Sequence, residues 1–164
     1  SSTFEALPYV FKEDVENKKD YYHLLGLVKA KREWRYIEKC FMTPRYPHNN
    51  NIDKFKVFIP KANGGGVLGE QLSKDEIGYP GDSATSTFIS IGAFDTLEEA
   101  RNCSLYIKTK FLRCLLGILK ITQDNPPSVW SFIPMQDFTS HSDIKWKRWS
   151  KNNLILTKSY LKYR

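Results

Sequence analysis

The chain of 164 residues has no long hydrophobic run, few cysteines and no leader-like start. No apolar stretch approaches the ~20 residues that a transmembrane helix needs, so no association with a membrane is expected. Residues 1–10 lack the basic and apolar segments of a signal peptide and do not begin with Met, which favours a processed product or an excised fragment. The cysteines form no Cys-x-x-Cys pair, which argues against a zinc site or a disulfide framework and favours a reducing cytoplasm; they are Cys40, Cys103 and Cys114.

Complete catalytic motifs are missing as well. The glycines at 64–66 are not followed by the Gly-Lys-Ser/Thr of a phosphate-binding loop, which favours a surface loop. Residues 125–128 resemble the Asn-Pro-Pro-aromatic tetrapeptide of adenine methyltransferases, but Ser128 replaces the aromatic residue. Residues 16–18 match the Glu-x-Lys of metal-dependent nucleases without a suitable preceding Asp. Because the three histidines are also scattered, we predict no catalytic residue and no metal site; they are His23, His48 and His141.

The positive charge is concentrated in the last third of the chain. Overall, 25 Lys and Arg against 18 Asp and Glu give a net charge of +7. Residues 1–100 carry 13 basic and 15 acidic side chains (net −2), whereas residues 101–164 carry 12 and 3 (net +9). Such an uneven field favours a polyanionic partner, although the same net charge also occurs where it only promotes solubility.

The pattern of apolar residues predicts an α+β fold in a single domain, with a small mixed sheet packed by one long amphipathic helix. Strands are expected near 55–59, 86–91 and 129–133, and a helix followed by a strand over 21–37. The long helix is expected at 97–119, where apolar residues recur at three- and four-residue steps. Asp95 and Glu98 are expected to form the capping box at its start.

Two clusters of cations have the composition of a nucleic-acid interface. One interleaves cations with indoles, although buried tryptophans with solvated cations would give the same pattern; it is Lys145-Trp146-Lys147-Arg148-Trp149. The other flanks a strand and an Asn/Gly loop, for which a mobile solvated loop is the alternative; it comprises Lys54, Lys56, Lys61 and Asn63.

Residues 54–139 resemble the C-terminal target-recognition region of bacterial type II restriction-modification adenine methyltransferases, including fused restriction enzyme–methyltransferases. The most characteristic stretch is 106–113 (Tyr-Ile-Lys-Thr-Lys-Phe-Leu-Arg), followed by 120–123. The other matching stretches are 56–64, 78–81, 85–95 and 129–139. Residues 140–164 form a basic, aromatic tail that departs from the family pattern, and residues 1–50 form an N-terminal part outside the resemblance.

The resemblance implies a recognition domain that binds double-stranded DNA and performs no chemistry by itself. It implies no cofactor in this domain, with S-adenosylmethionine bound by a separate methyltransferase catalytic domain of the same or another chain. That catalytic domain would act on a flipped adenine.

The reading that combines these observations is sequence-specific recognition of double-stranded DNA. Cations would anchor phosphates, and the loops at 61–66 and 78–85 would contact base edges in the major groove. A restriction endonuclease domain or subunit and a protein–protein interaction module are the alternatives. The residues predicted to bind DNA are Lys56, Lys61, Asn63, Lys108, Lys110, Arg113, Lys145, Lys147 and Arg148.

Overall fold

The computed structural model describes residues 3–42, 51–62, 72–119, 124 and 126–146. Within these residues it contains helices and two three-stranded sheets, so the predicted α+β class is confirmed. The strands are β1 (Tyr21–Val28), β2 (Lys31–Glu38), β3 (Phe55–Pro60), β4 (Glu76–Gly78), β5 (Asp82–Ala84) and β6 (Phe88–Phe94). The α-helices are α1 (Thr3–Ala6), α2 (Leu97–Ile107), α3 (Lys110–Leu119) and α4 (Pro127–Trp130), and short 3-10 turns span Lys18–Asp20 and Lys39–Phe41.

The first sheet has the order β2-β1-β5 and is mixed, because β2 is antiparallel and β5 parallel to β1. The helix predicted in the first part of 21–37 is therefore wrong. Both faces of β1 are covered, so its apolar residues form a near-continuous run rather than an alternating one. Leu24 packs with Phe4 and Phe11 on one side, and Leu25 packs with Phe58 on the other.

The second sheet has the order β4-β3-β6 and is antiparallel. β3 and β6 are the strands that the sequence predicts near 55–59 and 86–91. Val57 and Ile59 belong to a core cluster with residues of α2 and α3, whereas Phe58 belongs to the cluster shared with β1. The second sheet is thus packed between the first sheet and the helices. The sequence predicts one small mixed sheet, whereas the structure contains two sheets.

The predicted helix over 97–119 is interrupted after Ile107. The hydroxyl of Thr109 donates to the carbonyl of Tyr106 (2.7 Å) and accepts from the backbone N–H of Leu112 (3.2 Å), which caps the start of α3. The cap of α2 lies one residue later than predicted, because Thr96 accepts from the backbone N–H of Glu99 (3.2 Å).

The strand predicted at 129–133 is also wrong. The proline pair instead begins the helical turn α4, with Pro127 in its first turn, where the missing N–H costs no hydrogen bond. Val129, Trp130 and Ile133 pack against the main core cluster at positions one and four residues apart, which is a helical spacing. Leu112, Leu116 and Trp146 lie in the same cluster; it joins the helices to the second sheet.

Candidate functional site

Three of the predicted DNA-binding residues meet where α2 ends and α3 begins. Lys108 is the C-cap of α2, Lys110 is the first residue of α3, and Arg113 follows one turn later. Lys108 and Lys110 are exposed and Arg113 is half-buried. We call this set, Lys108, Lys110 and Arg113, the α2–α3 junction.

The charges at the start of α3 are the reverse of what a helix prefers. No acidic residue lies in its first turn, and Lys110 occupies the first position. A cation there faces the positive end of the helix dipole, at a cost of about 0.3–1 kcal/mol for an exposed group. The start of α3 is therefore unfavourable for the isolated helix and favourable for a bound anion.

Lys108 also has a partner inside the protein. Its Nζ lies 2.8 Å from Oδ1 of Asp75 and donates to Oγ of Ser104 at 3.0 Å. The Asp75 side chain is 4% exposed and that of Lys108 is 56% exposed, so the ammonium shields a buried carboxylate from solvent.

Burial, with the Asp75 charge as a smaller contribution, raises the pKa of the Cys103 thiol to about 12, which keeps that thiol protonated.

A cavity of about 440 Å³ opens beside the junction. Residues 72–77, which lead into and form part of β4, make one wall, and α2 and α3 make the other. Lys108 and Arg113 lie in the second wall, with Ser104 and Ile107 of α2. The cavity therefore combines apolar walls with cations at the α2–α3 junction.

Lys56, one of the predicted DNA-binding residues, is only 1% exposed, so its prediction as a DNA contact is wrong. Its Nζ donates to the backbone carbonyls of Asp82 (2.7 Å) and Ile52 (3.1 Å), between the two sheets. Burial lowers the pKa of Lys56 to about 8, against the opposing attraction of the Asp82 and Asp53 charges. The ammonium joins the two sheets and cannot reach a phosphate from this position.

The remaining predicted contacts are divided between the surface and the undescribed part of the chain. Lys61 is exposed, with its Nζ 3.8 Å from Oδ2 of Asp124, and Lys145 is exposed. Trp146 is 4% exposed, and its indole N–H donates to the carbonyl of Asp137 (3.1 Å), so it packs in the core rather than against bases. Asn63, Lys147, Arg148 and Trp149 lie outside the described residues.

The segment 78–85 is not an open loop. A turn over Tyr79–Asp82 contains Gly81 with a positive φ of 89° and connects β4 directly to β5. The Asp82 carboxylate accepts from the backbone N–H of Tyr79 (2.7 Å), which fixes the turn. Only Tyr79 and Pro80 of this segment are exposed, so the predicted contact with base edges is restricted to these two residues. Of 61–66, only 61 and 62 lie within the described residues.

Sequence reasoning missed a polar cluster on the first sheet. Nδ1 of His23 lies 3.1 Å from Oδ1 of Asp82, its register partner on β5. The imidazole stacks on Trp34 and on Tyr36, with ring centroids 4.4 and 4.7 Å away. Alternation along β1 and β2 could have paired His23 with Tyr36, but no local signal joins His23 to a residue 59 positions away. The cluster ties β5 to β1.

Comparisons with protein-family models, curated proteins and solved structures found no match to this chain. Within the described ranges, no group of three or more acidic, cysteine or histidine side chains is arranged to hold a metal ion. The helices of those ranges are too short or too polar to cross a bilayer.

Proposed function

We propose that this chain recognises double-stranded DNA as the target-recognition domain of a bacterial restriction-modification adenine methyltransferase. The observation that carries the proposal is the α2–α3 junction, where three cations lie within about one turn of a helix start that has no acidic residue in its first turn. A phosphate beside Lys110 would be attracted both by the side chains and by the backbone N–H groups of α3.

The distribution of charge supports a polyanionic partner. Residues 101–164 carry 12 cations and 3 acids. Five of these cations lie in the described residues, and none of the five is buried: Arg101, Lys108, Lys110, Arg113 and Lys145. The same stretch contains the motif at 106–113 on which the resemblance to methyltransferase recognition regions mainly depends.

In this proposal the chain supplies recognition and another domain supplies chemistry. A methyltransferase catalytic domain of the same or another chain would bind S-adenosylmethionine and act on an extruded adenine. The compartment we propose is the cytoplasm, where the free cysteines Cys40 and Cys114, both exposed, would stay reduced.

Lys110 provides the sharpest test because its charge has no structural benefit for α3. Replacing Lys108 would also leave the buried Asp75 carboxylate without its ion-pair partner. A loss of DNA binding could then result either from the missing contact or from a change in the fold. We therefore compare Lys110→Gln with Lys19→Gln, which removes the same charge from an exposed site before β1.

The measurement is the affinity of the 164-residue chain for duplex DNA by fluorescence anisotropy over a range of salt concentrations. Lys110→Gln should reduce the slope of log affinity against log salt by about one unit, because one phosphate contact is lost. Lys19→Gln should keep the wild-type slope. Equal salt slopes for the wild type and both variants would show that the junction is not part of the DNA interface. Cleavage of the duplex in the presence of added magnesium would favour the alternative, an endonuclease.

A further inference from the structure

The cavity beside the α2–α3 junction contains a carboxylate that is only partly used. Asp75 is 4% exposed and pairs with Lys108 through Oδ1. Among the described residues, none donates a hydrogen bond to its Oδ2. Because an ionised carboxylate accepts through both oxygens, Oδ2 remains an acceptor. Asp75 also lines the cavity, so a donor that approaches this oxygen would come from a molecule inside it.

Three cations also line the cavity. Lys74 is 81% exposed, and Lys108 and Arg113 line the opposite wall. Glu76 also lies in the lining, where it pairs with Lys74 at 3.5 Å and with Arg32 at 3.6 Å. Among the described residues that line the cavity, three cations stand against two carboxylates, a formal excess of one positive charge.

This arrangement selects a particular ligand chemistry. An ammonium ligand would suit Asp75 but would be repelled by the three cations. A simple phosphate would suit the cations but would leave Asp75 and the apolar walls, including Ile77 and Ile107, without a partner. A ligand with a neutral amino donor on a planar ring and a negative charge at its other end suits Asp75, the apolar walls and the cations. The volume of about 440 Å³ lies within the range of small-molecule sites.

We propose that this cavity binds a single nucleotide whose base carries an exocyclic amino group. The base lies between Ile77 and Ile107 with its amine donating to Asp75, and the phosphate lies near Lys108 and Arg113. The inference rests on the proposed function for its source, a nucleotide of a DNA strand. Such a nucleotide must be unpaired or extruded, because a stacked base cannot enter a cavity.

The first experiment uses free nucleotides as probes of the 164-residue chain. The amide signals of Ser104 and Ile107 are followed by NMR during titration with 2′-deoxyadenosine 5′-monophosphate and with its analogue that has hydrogen in place of the amino group. The analogue should bind roughly tenfold more weakly, because it leaves a charged acceptor unpaired. Equal affinities, or no shift at these amides, would overturn the inference.

Asp75→Asn tests the acceptor directly. Its amide oxygen would face Lys108, so its NH2 group would face the cavity and oppose the amino group of the base. The variant should therefore lose the preference for the amino-bearing nucleotide. Circular dichroism checks its fold, and Ser73→Tyr provides a second variant, since Ser73 is exposed and lines the cavity, which a tyrosine would occlude. Tight binding by folded Ser73→Tyr would contradict the assignment.

A final arm separates the source of the nucleotide from DNA binding in general. A duplex with one bulged adenine is compared with a duplex whose bulged base has hydrogen in place of the amino group, using the wild type and Lys110→Gln. Tighter binding of the bulged adenine supports the inference. If neither form of nucleotide is distinguished while Lys110→Gln still changes the salt slope, the inference fails and the proposed function stands. If free nucleotides bind but the duplex does not, the DNA source and the proposed function both fail.

Discussion

Two lysines with the same predicted role have opposite environments in this protein. Lys56 lies between the two sheets, where its ammonium donates to two backbone carbonyls and its pKa falls to about 8. Lys110 is exposed at the start of α3, where no acid occupies the first turn. The first ammonium is held by backbone carbonyls inside the protein, whereas the second is exposed at the positive end of a helix, which makes the second the better candidate for a ligand contact.

The largest expected effect is the contribution of Lys56 to the pH dependence of stability. The pKa of Lys56 is lower in the folded chain than the ordinary value of 10.5, so between about pH 8 and 10.5 only the unfolded chain keeps this proton. The free energy of unfolding should therefore rise with pH across this window, by up to about 3 kcal/mol for this group.

Urea denaturation of the wild type and Lys56→Met at several pH values measures this rise. The difference between the two curves isolates Lys56 from the other groups that titrate in the same range. If the free energies of unfolding of the two proteins change with pH in parallel, Lys56 is solvated. The two lysines would then no longer have opposite environments.

Lys108 is expected to have the next largest effect, because it serves both the fold and the junction. Lys108→Ala should lower the free energy of unfolding by about 2 kcal/mol, since it leaves the Asp75 carboxylate buried without its ion-pair partner. Adding Asp75→Asn should recover part of this loss by removing the buried charge. A double-mutant cycle by thermal denaturation measures the coupling, and additive losses would show that the pair contributes nothing.

The separation between these roles could not be predicted from the sequence. β3, β6 and the start of α2 follow local signals, namely β-branched and aromatic runs and a capping motif, although the cap is Thr96 rather than the predicted Asp95. The burial of Lys56 depends on Asp82, 26 residues further along, which reaches it only through the packing of two sheets. The residue types near Lys56 in the sequence therefore do not predict that contact.

Two other differences have local causes that run against residue preferences. The β1–β2 turn places Lys29 and Ala30 at positive φ (47° and 63°), where Gly or Asn is normally expected, so the hairpin has no turn signature. The break between α2 and α3 is hidden because apolar residues continue at helical spacing through Cys103, Ile107 and Phe111. Asn63, Lys147 and Arg148 lie outside the described residues, so their predicted role stays a prediction.

The caps of α2 and α3 allow a matched comparison of the two helix starts. Thr96→Ala and Thr109→Ala each remove a hydroxyl that accepts a backbone N–H, so each should lower the free energy of unfolding by about 1 kcal/mol. Only Thr109→Ala should also weaken duplex binding, because Thr109 lies between Lys108 and Lys110. Chemical denaturation and anisotropy measure the two effects, and equal binding by both variants would separate the junction from its cap.

The smallest expected change in stability has the most informative sign. Lys110→Glu places an acid at the positive end of the α3 dipole, so it should raise the free energy of unfolding by about 0.5 kcal/mol. The same change should weaken duplex binding more than Lys110→Gln does, because the new carboxylate repels phosphate. A variant that is more stable and binds DNA less well would show that Lys110 is kept at the expense of helix stability. If Lys110→Glu instead destabilises the chain, Lys110 contributes to the fold, and its contrast with Lys56 no longer identifies a ligand-binding residue.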